Sequence, residues 1–243
     1  MKHVTIAGLD VRITGGPDRE GGGTGPVVLL LHGFGAPGDD LVPLWQVLDV
    51  PAETRFIFPA APLSLDMGFG DSRAWWMLDM ERLAQTRAKG NWAQLIKEVP
   101  KGLSEAREKV MSVIQVVNND FHVASEKLII GGFSQGSMLA CDIVLRSDQQ
   151  FAGVVLLSSS LIAKDEWAPL MVRRKGTPVF QSHGTDDPIL SPEVAQQLGD
   201  MLQAEGLSVE WHAFRGGHEI PMNILERLGG FIKRVLYKST DDY

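Results

Sequence analysis

Lys127-Leu128-Ile129-Ile130-Gly131-Gly132-Phe133-Ser134-Gln135-Gly136-Ser137-Met138-Leu139-Ala140 decides the reading of this chain. A short apolar, β-branched run meets a G-x-S-x-G pentad, and a helix-compatible segment follows at once. That strand–elbow–helix order is the context in which a serine hydroxyl can act as a nucleophile. The turn must be tight, and a Cβ on either side of the serine would meet neighbouring backbone, which Gly132 and Gly136 avoid. The plain alternative is an ordinary glycine-flanked strand-to-helix turn, and the rest of the chain has to decide between the two.

Working outward, apolar runs alternate with helical stripes. Val27–Leu31, Arg55–Phe58, Leu128–Ile130, Val154–Leu157 and Pro178–Ser182 read as strands buried on both faces. Val209–Phe214 reads as a final strand. Between them, Leu41, Leu44, Trp45 and Leu48 fall on one helical face, with Asp40 as expected N-cap. Ala106, Val110, Val113, Ile114 and Val117 form a second stripe, capped by Ser104. The segment after Ser134 is apolar almost all round, so a buried helix is expected there, with Cys141 a core residue. Ser191-Pro192 opens another helix, and Ile224 to Leu236 stripes the last. Val4, Ile6, Val11 and Ile13 alternate around Gly8, which predicts an antiparallel hairpin at a sheet edge. The expected fold is α/β: a mostly parallel central sheet, helices on both faces and an N-terminal hairpin, in one domain over 1–243.

Residues 60–103 carry no single period. Met67, Phe69, Trp75, Trp76, Met77, Met80 and Trp92 stand there among several charges. Long excursions of this kind are commonly functional, and this one is too aromatic for disorder. The segment, above all 76–103, is expected to wall a pocket, with Trp75, Trp76 and Met77 contacting substrate. The glycines between Gly15 and Gly25 precede a strand and lack Lys-Ser/Thr, so they read as a loop and not a phosphate cradle.

Bulk properties narrow the function. The 243 residues carry a net charge of −7, which argues against a nucleic-acid partner. A single cysteine excludes an intrachain disulfide and a cysteine-type zinc cluster. His218-Glu219 is no zinc motif, because Met222 stands where a second histidine is required. No run approaches a membrane-spanning length and the first residues lack a signal-peptide pattern, so a cytoplasmic protein without stable membrane insertion is expected.

In an open parallel sheet, ligands gather at the carboxyl ends of the strands. His32, Ser134, Asp187 and His218 all fall at such ends. A serine needs a base to take its proton, and the base needs a carboxylate to fix its tautomer. Ser134, then Asp187, then His218 is the order in which the α/β-hydrolase fold carries these groups. Asp186 is the rival to Asp187; His32 and His183 are rivals to His218 and otherwise anchor backbone turns. The oxyanion formed on attack needs two preorganised donors. The backbone N–H groups of Gln135 and Phe34 are the candidates, the latter from the turn after Val27–Leu31.

These blocks together resemble the phospholipase/carboxylesterase family of α/β-hydrolases, which includes acyl-protein thioesterases and small bacterial carboxylesterases. The resemblance rests on Leu31-His32-Gly33-Phe34-Gly35, Gly132-Phe133-Ser134-Gln135-Gly136, His183-Gly184-Thr185-Asp186-Asp187-Pro188 and Gly217-His218-Glu219, with Trp75 adding weakly. It implies Ser134, Asp187 and His218 as the triad and Phe34 and Gln135 as oxyanion donors. The family's aspartate precedes the proline, which favours Asp187 over Asp186. Leu190-Ser191, Ser137 and Ser159 depart from the family's usual residues without touching the triad.

The expectation is a serine hydrolase that cleaves carboxylic esters, or thioesters, of short-to-medium acyl groups through an acyl-enzyme, with no metal or cofactor. Its partner is a small-molecule ester, and a homodimer is left open. A catalytically inactive binding module on the same fold is the alternative of a different class; a lysophospholipase or acyl-protein thioesterase is the alternative within it. A peptidase ranks last, since no cap domain filters peptides.

Overall fold

The computed structural model describes residues 1–66 and 71–237, so Met67 and Phe69 lie outside the described residues. Eight strands form one sheet. Strands β1 (Lys2–Ile6), β2 (Leu9–Gly15), β3 (Val27–Leu31), β4 (Arg55–Pro59), β7 (Leu128–Phe133), β8 (Gly153–Leu157), β9 (Pro178–Gly184) and β10 (Ser208–Phe214) lie in the order β1-β2-β4-β3-β7-β8-β9-β10. The pairs β1–β2 and β2–β4 are antiparallel and the rest parallel, so the expected edge hairpin and parallel sheet are both present. The short strands β5 (Leu63–Leu65) and β6 (Ser72–Ala74) pair separately.

The continuous apolar runs follow from burial on both faces. Alternate residues of a strand point to opposite sides. Val27, Leu29 and Leu31 enter one core cluster, while Val28 and Leu30 enter the other. The first cluster is completed by α4 (Leu103–Asp120), α5 (Gln135–Arg146), α6 (Lys164–Met171) and α7 (Pro192–Ala204); the second by α8 (Met222–Leu236). Helix α5 is buried from Gln135 to Leu145. Cys141 lies inside it, and burial pushes its thiol up, so it stays protonated and inert.

Two local expectations are corrected. Helix α1 spans only Leu44–Val47 and starts at Pro43; Asp40 is exposed and caps nothing. Helix α4 is preceded by Gly102 at φ 93°, not capped by Ser104, whose hydroxyl instead accepts from Arg107 Nη2 at 2.9 Å. Ser191 does cap α7, accepting from Val194 N–H at 3.2 Å. Within the 60–103 stretch, α2 (Met80–Lys89) and α3 (Trp92–Leu95) form. Among the described residues no helix is long and apolar enough to cross a membrane.

Candidate active site

The elbow is strained where a nucleophile would sit. Ser134 has φ 52° and ψ −117° between β7 and α5. A non-glycine residue there costs about 1–3 kcal/mol and persists only when its surroundings over-determine it. They do. Ser134 N–H donates to Leu157 O at 2.9 Å, and Ser134 O accepts from Ser137 Oγ at 2.6 Å. The flanking glycines answer to one atom: a Cβ on Gly132 would stand 2.4 Å from Leu31 O, and one on Gly136 2.1 Å from it. The elbow is therefore pressed against the end of β3, where the His32-Gly33-Phe34 turn begins. A Cβ on Gly33 would lie 3.4 Å from Ser134 Cβ.

The two loops that bring acid and base are zipped together. Thr185 N–H donates to Phe214 O at 2.8 Å, and Asp186 N–H to Gly216 O at 2.9 Å. Asp187 turns inward, its carboxylate without exposed surface, while Asp186 is exposed. Asp187 Oδ1 accepts from the N–H groups of Ile189 at 2.7 Å and Leu190 at 3.0 Å. Its Oδ2 lies 2.7 Å from His218 Nδ1. Burial works to raise the Asp187 pKa, but hydrogen bonds from His183, His218 and Leu190 N–H outweigh it and hold the carboxyl well below its usual range. Asp187 is thus an anion that must receive, so His218 carries its proton on Nδ1 and leaves Nε2 to accept one. Phe133 of the pentad packs on the imidazole, ring centroids 4.7 Å apart, which ties the base to the elbow.

Both rival histidines are buried. His32 Nε2 accepts from Ala61 N–H at 2.9 Å, so Nδ1 carries the proton and donates to Gly33 O at 2.8 Å. It holds the turn that carries Phe34. Burial lowers its pKa from 6.5 to about 4. Between about pH 6.5 and about 4 the unfolded imidazole binds a proton that the folded one refuses, so stability falls as pH drops through that window. The whole shift is worth on the order of 3 kcal/mol. Urea unfolding across this window should show a flatter pH slope in His32→Gln than in the native protein. His183 is buried beside the carboxylate, its Nε2 3.2 Å from Asp187 Oδ2 and 3.4 Å from Leu190 O.

The candidate oxyanion donors sit on pinned backbone. Gly35 N–H donates to Arg73 O at 2.8 Å, and Arg73 N–H to Ala36 O at 3.1 Å, so the backbone just after Phe34 is held by β6. Gln135 is the first residue of α5, where backbone N–H groups have no intrahelical acceptor. Its side chain adds a contact that no local pattern announces. The fully buried amide accepts from Trp75 N–H at 2.9 Å and donates to Trp76 O at 2.8 Å. Trp75 Nε1 donates to His32 O at 2.9 Å. Both Trp75 donors are thus committed to the protein, and its almost fully buried ring braces the wall from behind. Trp76 and Met77 line a cavity of about 250 Å³, Trp76 almost fully buried and Met77 exposed. Met138, one turn after Ser134, and Leu190, beside Asp187, belong to the same wall.

The chain is similar to known proteins over most of its length. The family model described as phospholipase/carboxylesterase matches residues 21–236. Among curated relatives, acyl-protein thioesterase 1 of Candida albicans is 27% identical over 226 residues, covering 87% of this chain and 92% of that protein. Its counterpart in Kluyveromyces lactis is 31% identical over 220 residues, covering 86% and 92%. Among solved structures, esterase PE8 aligns with a TM-score of 0.78 at 24% identity, covering 96% of this chain and 100% of that one. The Bacillus cereus carboxylesterase aligns with a TM-score of 0.72 at 18% identity, covering 93% and 94%.

Proposed function

Because the chain belongs to the phospholipase/carboxylesterase family of α/β-hydrolases, we propose that Ser134, His218 and Asp187 cleave an acyl ester or thioester in two steps. Ser134 Oγ attacks the carbonyl carbon as His218 Nε2 takes the hydroxyl proton. The carbonyl oxygen becomes an oxyanion, held by the N–H groups of Phe34 and Gln135. Collapse breaks the bond to the leaving group, which departs with the proton from His218 and leaves Ser134 acylated. Water then attacks the acyl-enzyme, His218 accepts its proton, and the free acid leaves with Ser134 restored. Asp187 stays ionised throughout and stabilises the imidazolium.

The observation that carries this reading is the 2.7 Å contact between His218 Nδ1 and a carboxylate held below its usual pKa. It leaves Nε2 as the basic nitrogen. The cavity beside Met138 takes the acyl group, and its size favours short-to-medium chains over long ones. Oxygen esters are the first reading. Thioesters are the second, favoured by the names of the curated relatives.

A fluorophosphonate probe with p-nitrophenyl esters of graded chain length tests the proposal. The native protein should be labelled on Ser134 and turn the esters over; Ser134→Ala should do neither. An unlabelled native protein would leave only a binding module on this fold, and full turnover by Ser134→Ala would sink the mechanism. Matched S-acyl substrates then rank thioester against ester.

A further inference from the structure

Helix α2 is attached to the molecule in an unusual way. None of its ten residues is buried. Asp79 caps it, accepting from Arg82 N–H at 2.9 Å, and Leu83 alone packs against the main core cluster from its apolar side. A two-pronged ion pair also holds it: Arg82 Nη1 reaches Glu98 Oε2 at 2.8 Å and Nη2 reaches Glu98 Oε1 at 2.5 Å. Such fork-to-fork pairing fixes orientation as well as distance.

The helix borders two spaces. One is the cavity of about 250 Å³ walled by Trp76, Met138 and Leu190; the other is a groove of about 410 Å³ between α2 and Pro188-Ile189. Leu83 is part of both walls. Across from it, Ile189 faces the groove and Leu190 the cavity, two adjacent residues whose N–H groups both bind Asp187. Cavity and groove are therefore neighbours that share Leu83, on a helix held by the Arg82–Glu98 pair at the cavity's own rim.

We propose that Leu83, positioned by the Arg82–Glu98 pair, is the end wall of the acyl pocket and sets the longest acyl chain this protein accepts. The assignment rests on the acyl-hydrolase reading above. Taking each chain carbon as close to a water's ~30 Å³, the cavity holds about eight carbons. The groove beyond has room for the continuation of a longer chain once the wall is withdrawn.

The decisive experiment measures binding, so that it stands apart from turnover. Fatty acids of increasing length are titrated calorimetrically into Ser134→Ala protein. Affinity should rise about fourfold per added carbon, equivalent to ~0.8 kcal/mol for each buried methylene, and then level off near the length the cavity holds. In Ser134→Ala/Leu83→Ala the rise should continue several carbons further. In Ser134→Ala/Leu83→Phe it should stop sooner. In proteins that keep Ser134, the kcat/KM ratio of p-nitrophenyl dodecanoate to butyrate should increase at least about tenfold on Leu83→Ala. Removing the clamp with Arg82→Gln should raise that ratio by up to about fivefold, the reach of an exposed pair, and high salt should mimic it in the native protein.

A break at the same length in all three Leu83 backgrounds, or no break in the native sequence, overturns the proposal. If the break moves as expected while the native protein turns over no ester, the hydrolase reading fails and the wall assignment stands.

Discussion

Asp187→Asn is expected to lower kcat by on the order of 10⁴-fold while leaving the fold intact. An asparagine has nearly the shape of aspartate, and at many sites it could rotate to present its oxygen to the histidine. Here it cannot. Oδ1 of Asp187 accepts two backbone N–H groups, from Ile189 at 2.7 Å and Leu190 at 3.0 Å. An amide nitrogen in that place would set donor against two donors, so the asparagine oxygen has to stay there. The NH₂ then occupies the Oδ2 position, which faces His218 Nδ1 at 2.7 Å and His183 Nε2 at 3.2 Å. It donates to Nδ1, and His218 is driven to carry its proton on Nε2. That nitrogen can then no longer take the proton of Ser134. The loss should appear in kcat, since the acyl cavity is untouched, and KM for a short ester should change little. Raising the pH should not restore it, because the fault is the tautomer and not the protonation state. Steady-state kinetics on p-nitrophenyl butyrate, normalised to folded protein by near-ultraviolet circular dichroism, makes the measurement. Native-like turnover in Asp187→Asn would remove Asp187 from the mechanism.

The same pair of N–H groups shows what could and could not be read from sequence. Residue types and their order at strand ends were legible, because a sheet buried on both faces writes itself as apolar runs and each run ends where the polar groups begin. The hairpin was legible from period-two alternation. The helix after Asp40 was over-read, since Leu41 and Leu44 satisfy helical spacing while Pro43 and the turns before it keep only Leu44–Val47 helical. Helix α2 left no stripe because none of its residues is fully buried and Leu83 alone packs on the core. The Gln135 clasp on Trp75 and Trp76 spans about sixty residues. A side-chain amide that pairs with distant backbone has no periodic signature, so the bracing role of Trp75 left no mark in the sequence. The sole local hint was a glutamine at the start of a buried helix, which needs partners for both ends of its amide.

A second large effect is expected far from the chemistry, at Asp142. Its carboxylate has no exposed surface and gathers three helices. Arg107 of α4 donates to Oδ2 at 2.6 Å; Arg146 of α5 and Trp167 of α6 donate to Oδ1 at 2.7 Å and 2.8 Å. Arg146 continues to Glu166 on α6. Asp142→Ala leaves two guanidinium groups and a buried indole N–H without their acceptor. Breaking a buried pair from one side costs about 3–5 kcal/mol. The lower end applies, because Arg107 and Arg146 keep 22% and 23% of their side-chain surface exposed and can turn towards water. Even ~3 kcal/mol is a large share of a typical 5–15 kcal/mol of stability. Asp142→Asn should lie between, since its NH₂ must face either Arg107 or the Arg146–Trp167 pair. High salt should not weaken the native network as it would an exposed pair, because the carboxylate is shielded from solvent. Asp142 stands eight residues beyond Ser134, about 12 Å along α5 at the helical rise. Turnover per fluorophosphonate-labelled molecule should therefore stay near native while the urea midpoint falls. A midpoint that does not move in Asp142→Ala would mean that packing of α4, α5 and α6 holds these helices without the ion network, and that the three donors find water at no net cost.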